Sequence, residues 1–216
     1  MELNKIYNVD CLEFMRTMPD KSVDLVLTDP PYGVGLKYDN YEDTKENLQL
    51  LINDFINEAV RVSNVVLITT GNSNLNLWYG YNYILAYYQP AAVSIGKYGT
   101  ELWQPVLFYG NDPIKGLSTR NRWTVLKNTE PRPKDINHPC PKPLNIWIKT
   151  LLRGSANEGD IVFDPFMGSG TTAIACLKTN RKFIGCEISP KYCEIANKRI
   201  DDFLAQQDLF REVING

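Results

Sequence analysis

Along the first third of the chain, short β-branched runs alternate with stretches of helical spacing. Lys5–Val9 reads as a short strand, and Cys11–Met18 places Leu12, Met15 and Met18 at helical intervals. VDLVLT, Val23–Thr28, predicts a buried strand that the following Asp-Pro-Pro must end. From Thr44 to Val62 the apolar positions Leu48, Leu51, Ile52, Phe55, Ile56, Ala59 and Val60 give the stripe of an amphipathic helix. Val65–Thr69 predicts the next strand, with the turn GNSN behind it.

The middle of the chain differs. Eleven of the 24 aromatic residues fall between Trp78 and Trp123. Trp78, Tyr81 and Tyr88 can share one helical face, which reads as core, and strands are expected at Ala91–Ile95 and Pro105–Tyr109. A loop rich in Pro, Asn and Arg runs on to Pro143. Alternation then resumes, with helix Leu144–Arg153, strand Asp160–Asp164, helix Thr171–Thr179, strand Lys182–Glu187 and a helix from Pro190 to about Gln207. Such alternation implies an α/β fold with a parallel sheet covered on both faces. At 216 residues the chain fits one domain, 1–216.

Composition narrows the class. Hydrophobic content of 44% and charged content of 22% are ordinary for a soluble globular protein. The start MELNKIYNVD lacks the basic and apolar regions of a signal peptide, and no apolar run could cross a bilayer, so a cytoplasmic protein is expected. Five cysteines without a CxxC pair read as reduced thiols, and a single histidine argues against a metal site. The net charge of −2 conceals an asymmetry. Lys115, Arg120, Arg122, Lys127, Arg132 and Lys134 face one acid, Glu130. By itself this patch reads as a solvated loop.

Two predicted strand ends carry chemistry. DPPY, Asp29–Tyr32, follows VDLVLT directly. Its prolines stiffen the backbone and lack N–H donors, so the segment presents acceptors at the carboxyl end of a strand. An exocyclic amine could give one hydrogen to the Asp29 carboxylate and one to the Pro30 carbonyl. With both hydrogens held, the nitrogen lone pair is decoupled from the ring and turns nucleophilic. Pro31 stiffens the cradle, and Tyr32 can stack on the base at about 1–3 kcal/mol. The second strand end is DIVFDPFMGSGTT, Asp160–Thr172, where Gly168 and Gly170 permit close backbone approach before a helix. It approaches G-x-G-x-x-A, with Glu187 ending the next strand and able to grip ribose hydroxyls. That pattern suits NAD and S-adenosylmethionine alike.

Together these motifs resemble the amino-methylating DNA methyltransferases in the β-group order, where DPPY precedes the recognition segment and the cofactor half comes last. NVDCLEFM, WQPVLFYG, HPCPKPLNIWIKTLL and GCEISPKYCEIANKRI extend the resemblance over nearly the whole chain. It implies a Rossmann-like, seven-stranded, mostly parallel sheet and the cofactor S-adenosyl-L-methionine. It assigns Asp29, Pro30, Pro31 and Tyr32 to the target base. Asp164, Phe166, Gly168, Gly170 and Thr171 would line the cofactor, Lys142 its carboxylate, Glu187 its ribose and Asp10 its adenine. The expected substrate is double-stranded DNA with the target base flipped out, in a bacterial or phage-infected cell.

The family usually has TQKP where this chain has CPKP, Cys140–Pro143. The recognition segment, about 80–137, is short, which fits a homodimer, a very short site or a partner. Lying there, Lys115, Arg120, Arg122, Lys127 and Arg132 become expected DNA contacts. N6 of adenine is expected over N4 of cytosine, because members acting on cytosine often begin the motif with Ser. A silent cofactor- or DNA-binding module is the alternative outside enzymology. An oxidoreductase leaves DPPY unexplained, and protein-glutamine methylation expects Asn at the first motif position.

Overall fold

The computed structural model describes residues 1–38, 40–90, 94–96, 99–117, 122–128 and 142–215, with the backbone alone at 94–96 and 208–215. An eight-stranded sheet runs in the order β1, β10, β9, β2, β3, β7, β4, β8. These are β1 Lys5–Tyr7, β2 Val23–Thr28, β3 Ser63–Thr69, β4 Tyr83–Tyr88, β7 Trp103–Gly110, β8 Val125–Lys127, β9 Ile161–Asp164 and β10 Lys182–Cys186. β5 Ser94–Gly96 and β6 Gly99–Glu101 form a separate antiparallel pair. The first five strands of the order are mutually parallel; β7 runs antiparallel to both β3 and β4. The three-residue β8 adds an edge strand beyond the seven expected.

Helices cover both faces. α1 Cys11–Thr17 and α2 Lys45–Val62 pack on one, while α3 Leu144–Gly154, α4 Thr171–Lys178 and α5 Pro190–Asn215 pack on the other. The strands alternate accordingly. Leu25 and Leu27 of β2 join Trp147, Leu151 and Ala173, and Val26 between them joins Phe55 and Ile52. Each side of the pleat has its own core, which explains the unbroken apolar run in β2. Thr44 caps α2 by accepting from the Asn47 amide at 3.1 Å. Among the described residues no helix is long and apolar enough to cross a membrane.

The aromatic middle departs from expectation. Tyr83–Tyr88 is a strand, so the helical face proposed for Tyr81 and Tyr88 does not exist. Leu85 and Tyr87 are buried, whereas Ile84, Ala86 and Tyr88 on the other face are only partly so, a period of two that YILAYY carries as well as a helical one. The core reading survives for Trp78, which is buried with the α2 cluster. Of the expected strand Ala91–Ile95, residues 91–93 lie outside the described residues. GNSN opens a 3-10 turn, Asn72–Leu77, and α5 continues to Asn215.

Candidate functional site

β2 and β9 lie side by side at the centre of the sheet, Leu25 opposite Val162 and Val26 opposite Phe163. The chain leaves β2 towards β3 on one side and leaves β9 towards β10 on the other. This is the switch point at which open α/β sheets form a crevice beyond the carboxyl ends of their strands. DPPY follows one strand and the glycine turn follows the other, so motifs 135 residues apart (29 to 164) line one cleft.

Around Asp29 the donors converge on one oxygen. Tyr32 Oη donates to Asp29 Oδ1 at 2.6 Å, Thr69 Oγ1 donates to the same atom, and Lys142 Nζ stands 3.0 Å from it. Lys142 also donates to Tyr32 Oη at 2.9 Å and lies 5.2 Å from the Tyr32 ring centroid. Pro30 is buried, and Pro31 lines the cleft. Behind them the buried Asn74 donates to the carbonyls of Tyr32 and Gly33 at 2.7 and 3.1 Å. Asp43, 2% exposed, accepts the amides of Gly33, Val34 and Leu36 at 2.6, 3.1 and 3.0 Å. Its carboxylate folds the 33–43 loop back so that Tyr38, Asn40 and Tyr41 line the cleft. Sequence reading missed Thr69, Asn74 and Asp43. Only GNSN gave a signal, and it gave one for a turn.

On the other side, Gly168 and Gly170 take φ of 53° and 81°. A Cβ on Gly170 would come within 3.1 Å of Ala196 on α5, so glycine serves both the turn and the packing there. Asp164 is 3% exposed and already occupied. Thr28 donates to its Oδ1 at 2.6 Å, the Phe166 amide donates at 3.0 Å, and Thr172 donates to its Oδ2. Trp147 Nε1 donates on to Thr172 Oγ1 at 2.7 Å, tying α3 to α4. Burial pushes the Asp164 carboxyl up to about 6 despite those donors. Glu187 is raised by burial too, opposed by the amides of Ser189 and Gly168, which reach Oε1 and Oε2 at 2.9 and 2.8 Å. Each of its oxygens keeps a second lone pair for a hydroxyl. Asp10 is the N-cap of α1, accepting from Leu12 and Glu13 with Oδ1. Phe166 and Thr171 line the cleft as well.

Among the described residues, four carboxylates, Asp10, Asp29, Asp164 and Glu187, line the cleft against one lysine, Lys142. Such a lining suits a ribose-bearing ligand of positive character and opposes a diphosphate. The described thiols of Cys11, Cys176, Cys186 and Cys193 are buried, and burial raises them all, Cys11 to about 12. They stay protonated and unreactive near neutral pH.

Among the described residues the basic patch is divided between the two ends of the sheet. β7 ends at Gly110 opposite Val65, near the start of β3, so Asp112 and Lys115 lie at the end of the strands away from the cleft. There Arg122 pairs with Asp112 at 3.2 Å, and the buried Arg153 pairs with the same carboxylate at 2.9 Å. Lys127 is opposite Tyr88, which is opposite Trp103, and these three stand at the end of the sheet that carries the cleft. Lys127 is exposed, as is Trp103 at 42%. Of the expected DNA contacts, Lys115 and Arg122 thus stand at the opposite end of the strands from Lys127. Arg120 and Arg132 lie outside the described residues.

A family model described as DNA methylase matches residues 96–198. The chain is 27% identical to the DNA adenine methyltransferase YhdJ of Escherichia coli K12, covering 93% of this chain and 83% of that protein. In fold it is similar to the cytosine-N4-specific PvuII DNA methyltransferase, with a TM-score of 0.69 at 17% identity over 89% of this chain and 84% of the other. It is likewise similar to the M1.HpyAVI–SAM complex, with a TM-score of 0.60 at 24% identity, covering 90% and 98%. With its DPPY and glycine-turn motifs held in one cleft, the chain is similar to the amino-methylating DNA methyltransferases, the N6-adenine and N4-cytosine family.

Proposed function

We propose that this protein methylates N6 of adenine in DNA, with S-adenosyl-L-methionine as the methyl donor. The observation that carries the reading is the cleft itself, where the Asp29 carboxylate after β2 shares one lining with the glycine turn after β9 and with Glu187 after β10. S-adenosyl-L-methionine, when bound, supplies an electrophilic methyl group on a cationic sulfur. The four carboxylates against one lysine among the described lining residues favour that cation over a dinucleotide. Glu187 would hold the ribose hydroxyls, and Phe166 with the half-exposed Ile188 would flank the adenine ring.

On the substrate side, Asp29 and the Pro30 carbonyl would each hold one amine hydrogen. The nitrogen lone pair is then free to take the methyl group, and one of those hydrogens leaves as a proton once the nitrogen is cationic. No strong general base is needed, because the methylated cation is itself acidic. A base can reach Asp29 only outside the duplex. The end of the sheet around Lys127 and Trp103 would face the DNA, with a phosphate partner for the lysine and an exposed aromatic beside it.

Adenine is preferred over cytosine because the motif begins with Asp and because the relative YhdJ is named as an adenine methyltransferase. Both bases carry a conjugated amine that this cradle could hold, so the target atom needs its own test. Mass spectrometry of nucleosides from DNA treated with the protein should detect N6-methyladenine, and Asp29→Ala should abolish it. N4-methylcytosine alone would refute the adenine assignment and leave amine methylation standing. No methyl transfer by the wild-type protein would favour the silent module.

A further inference from the structure

Lys142 immediately precedes Pro143, the N-cap of α3, and is 8% exposed. The family resemblance gives it to the cofactor's carboxylate, but among the described residues its ammonium turns to the DPPY segment. Its ammonium reaches Asp29 Oδ1 at 3.0 Å, Tyr32 Oη at 2.9 Å and Gln104 Oε1 at 3.4 Å. We propose that Lys142 is a positioning residue of the target-base cradle, an inference that rests on the methyltransferase reading above.

An ammonium has three hydrogens and no lone pair. Towards Lys142, Tyr32 Oη can therefore only accept, and its own hydrogen is directed onward to Asp29 at 2.6 Å. Thr69 adds another donor to the same atom. Lysine, tyrosine and threonine thus all meet Oδ1, which fixes the rotation of the carboxylate and leaves Oδ2 to the incoming amine. Gln104, at the start of β7, accepts from the same ammonium. The contacts are charge-assisted and largely shielded from water, conditions under which such contacts are strongest. Removing the ammonium frees the Tyr32 hydroxyl to turn and the Asp29 carboxylate to rotate. The cost then falls on the chemical step rather than on cofactor binding.

The test compares Lys142→Met and Lys142→Arg with wild type in two measurements. Calorimetry gives the affinity for S-adenosyl-L-methionine. Single-turnover methylation of unmethylated plasmid DNA at saturating cofactor gives the rate. Lys142→Met is expected to bind cofactor within about threefold of wild type and to methylate roughly 30- to 100-fold more slowly. Retained cofactor binding also reports that the variant is folded. Lys142→Arg, which keeps donors at altered geometry, should recover part of the rate. Tyr32→Phe interrupts the same chain of donors, so adding it to Lys142→Met should slow the reaction little further. A merely structural lysine would instead give additive losses together with a fall in cofactor affinity.

A cofactor affinity weakened tenfold or more, with the saturated rate within about threefold of wild type, would overturn the proposal and return Lys142 to the cofactor. That outcome leaves the methyltransferase reading intact. Wild-type protein that binds S-adenosyl-L-methionine and transfers no methyl group would defeat both.

Discussion

Replacing Asp164 by Asn removes an ionisable group from the centre of the sheet and leaves side-chain volume nearly unchanged. Burial pushes this carboxyl up to about 6 from an ordinary 3.8, while Thr172, Thr28 and the Phe166 amide pull it the other way. The folded-state value lies above the unfolded one. Its favourable contribution is therefore complete below the unfolded value and is lost as pH rises through about 6. A rise of roughly two units corresponds to about 3 kcal/mol, of which about 2 kcal/mol develops between about pH 4.5 and about pH 7.5.

Asn cannot ionise, so its stability relative to wild type should grow by about 2 kcal/mol over that interval, or about 4–8 °C in Tm for a chain of this size. Thr28 can keep its hydrogen bond to Oδ1. The new amide would face Thr172 Oγ1, a hydroxyl with two lone pairs of which Trp147 uses one. Any cost of that rearrangement is independent of pH and drops out of the difference. Thermal and denaturant melts of both ligand-free proteins across the pH series make the measurement. A variant-minus-wild-type difference that is flat, or that shrinks as pH rises, would refute an upward-shifted Asp164.

Three further outcomes follow from other parts of the structure. Gly170→Ala puts a Cβ at φ of 81° and within 3.1 Å of Ala196, so it should cost about 1–3 kcal/mol in denaturant melts. Asp43→Ala strands the amides of Gly33, Val34 and Leu36, and limited proteolysis should then cut within 33–43 much faster than in wild type. Lys127→Ala and Trp103→Ala should each weaken DNA binding, the lysine change also lowering the salt slope by about one unit. Arg122→Ala should leave both quantities unchanged in filter binding, since Asp112 holds Arg122 at the far end of the strands.

Much of the framework is legible one segment at a time. β2 is Val23–Thr28 as its apolar run and the following prolines predict, and α2 begins behind Thr44 because a threonine hydroxyl caps the first turn. Both motifs are local in the chain, so their residues could be named before any coordinates existed. YILAYY is the instructive failure. Its apolar positions satisfy helical and strand periods alike, and only pairing with β7 on one side and β8 on the other makes it β4.

What tertiary structure alone decided is which pieces meet. Periodicity says that a segment has a buried face and says nothing of the segment that will cover it. That β2 lies against β9, putting Asp29 and Asp164 in one cleft, depends on strand order across more than a hundred residues. That Lys142 turns to Asp29 and Tyr32 depends on where α3 begins relative to that edge. Arg122 and Lys127 are near neighbours in sequence, yet an extended chain rises about 3.3 Å per residue, so five residues carry it from one end of the strands to the other. Residue types and spacings therefore named the chemistry, whereas strand order and direction determined which groups could act on the same atoms.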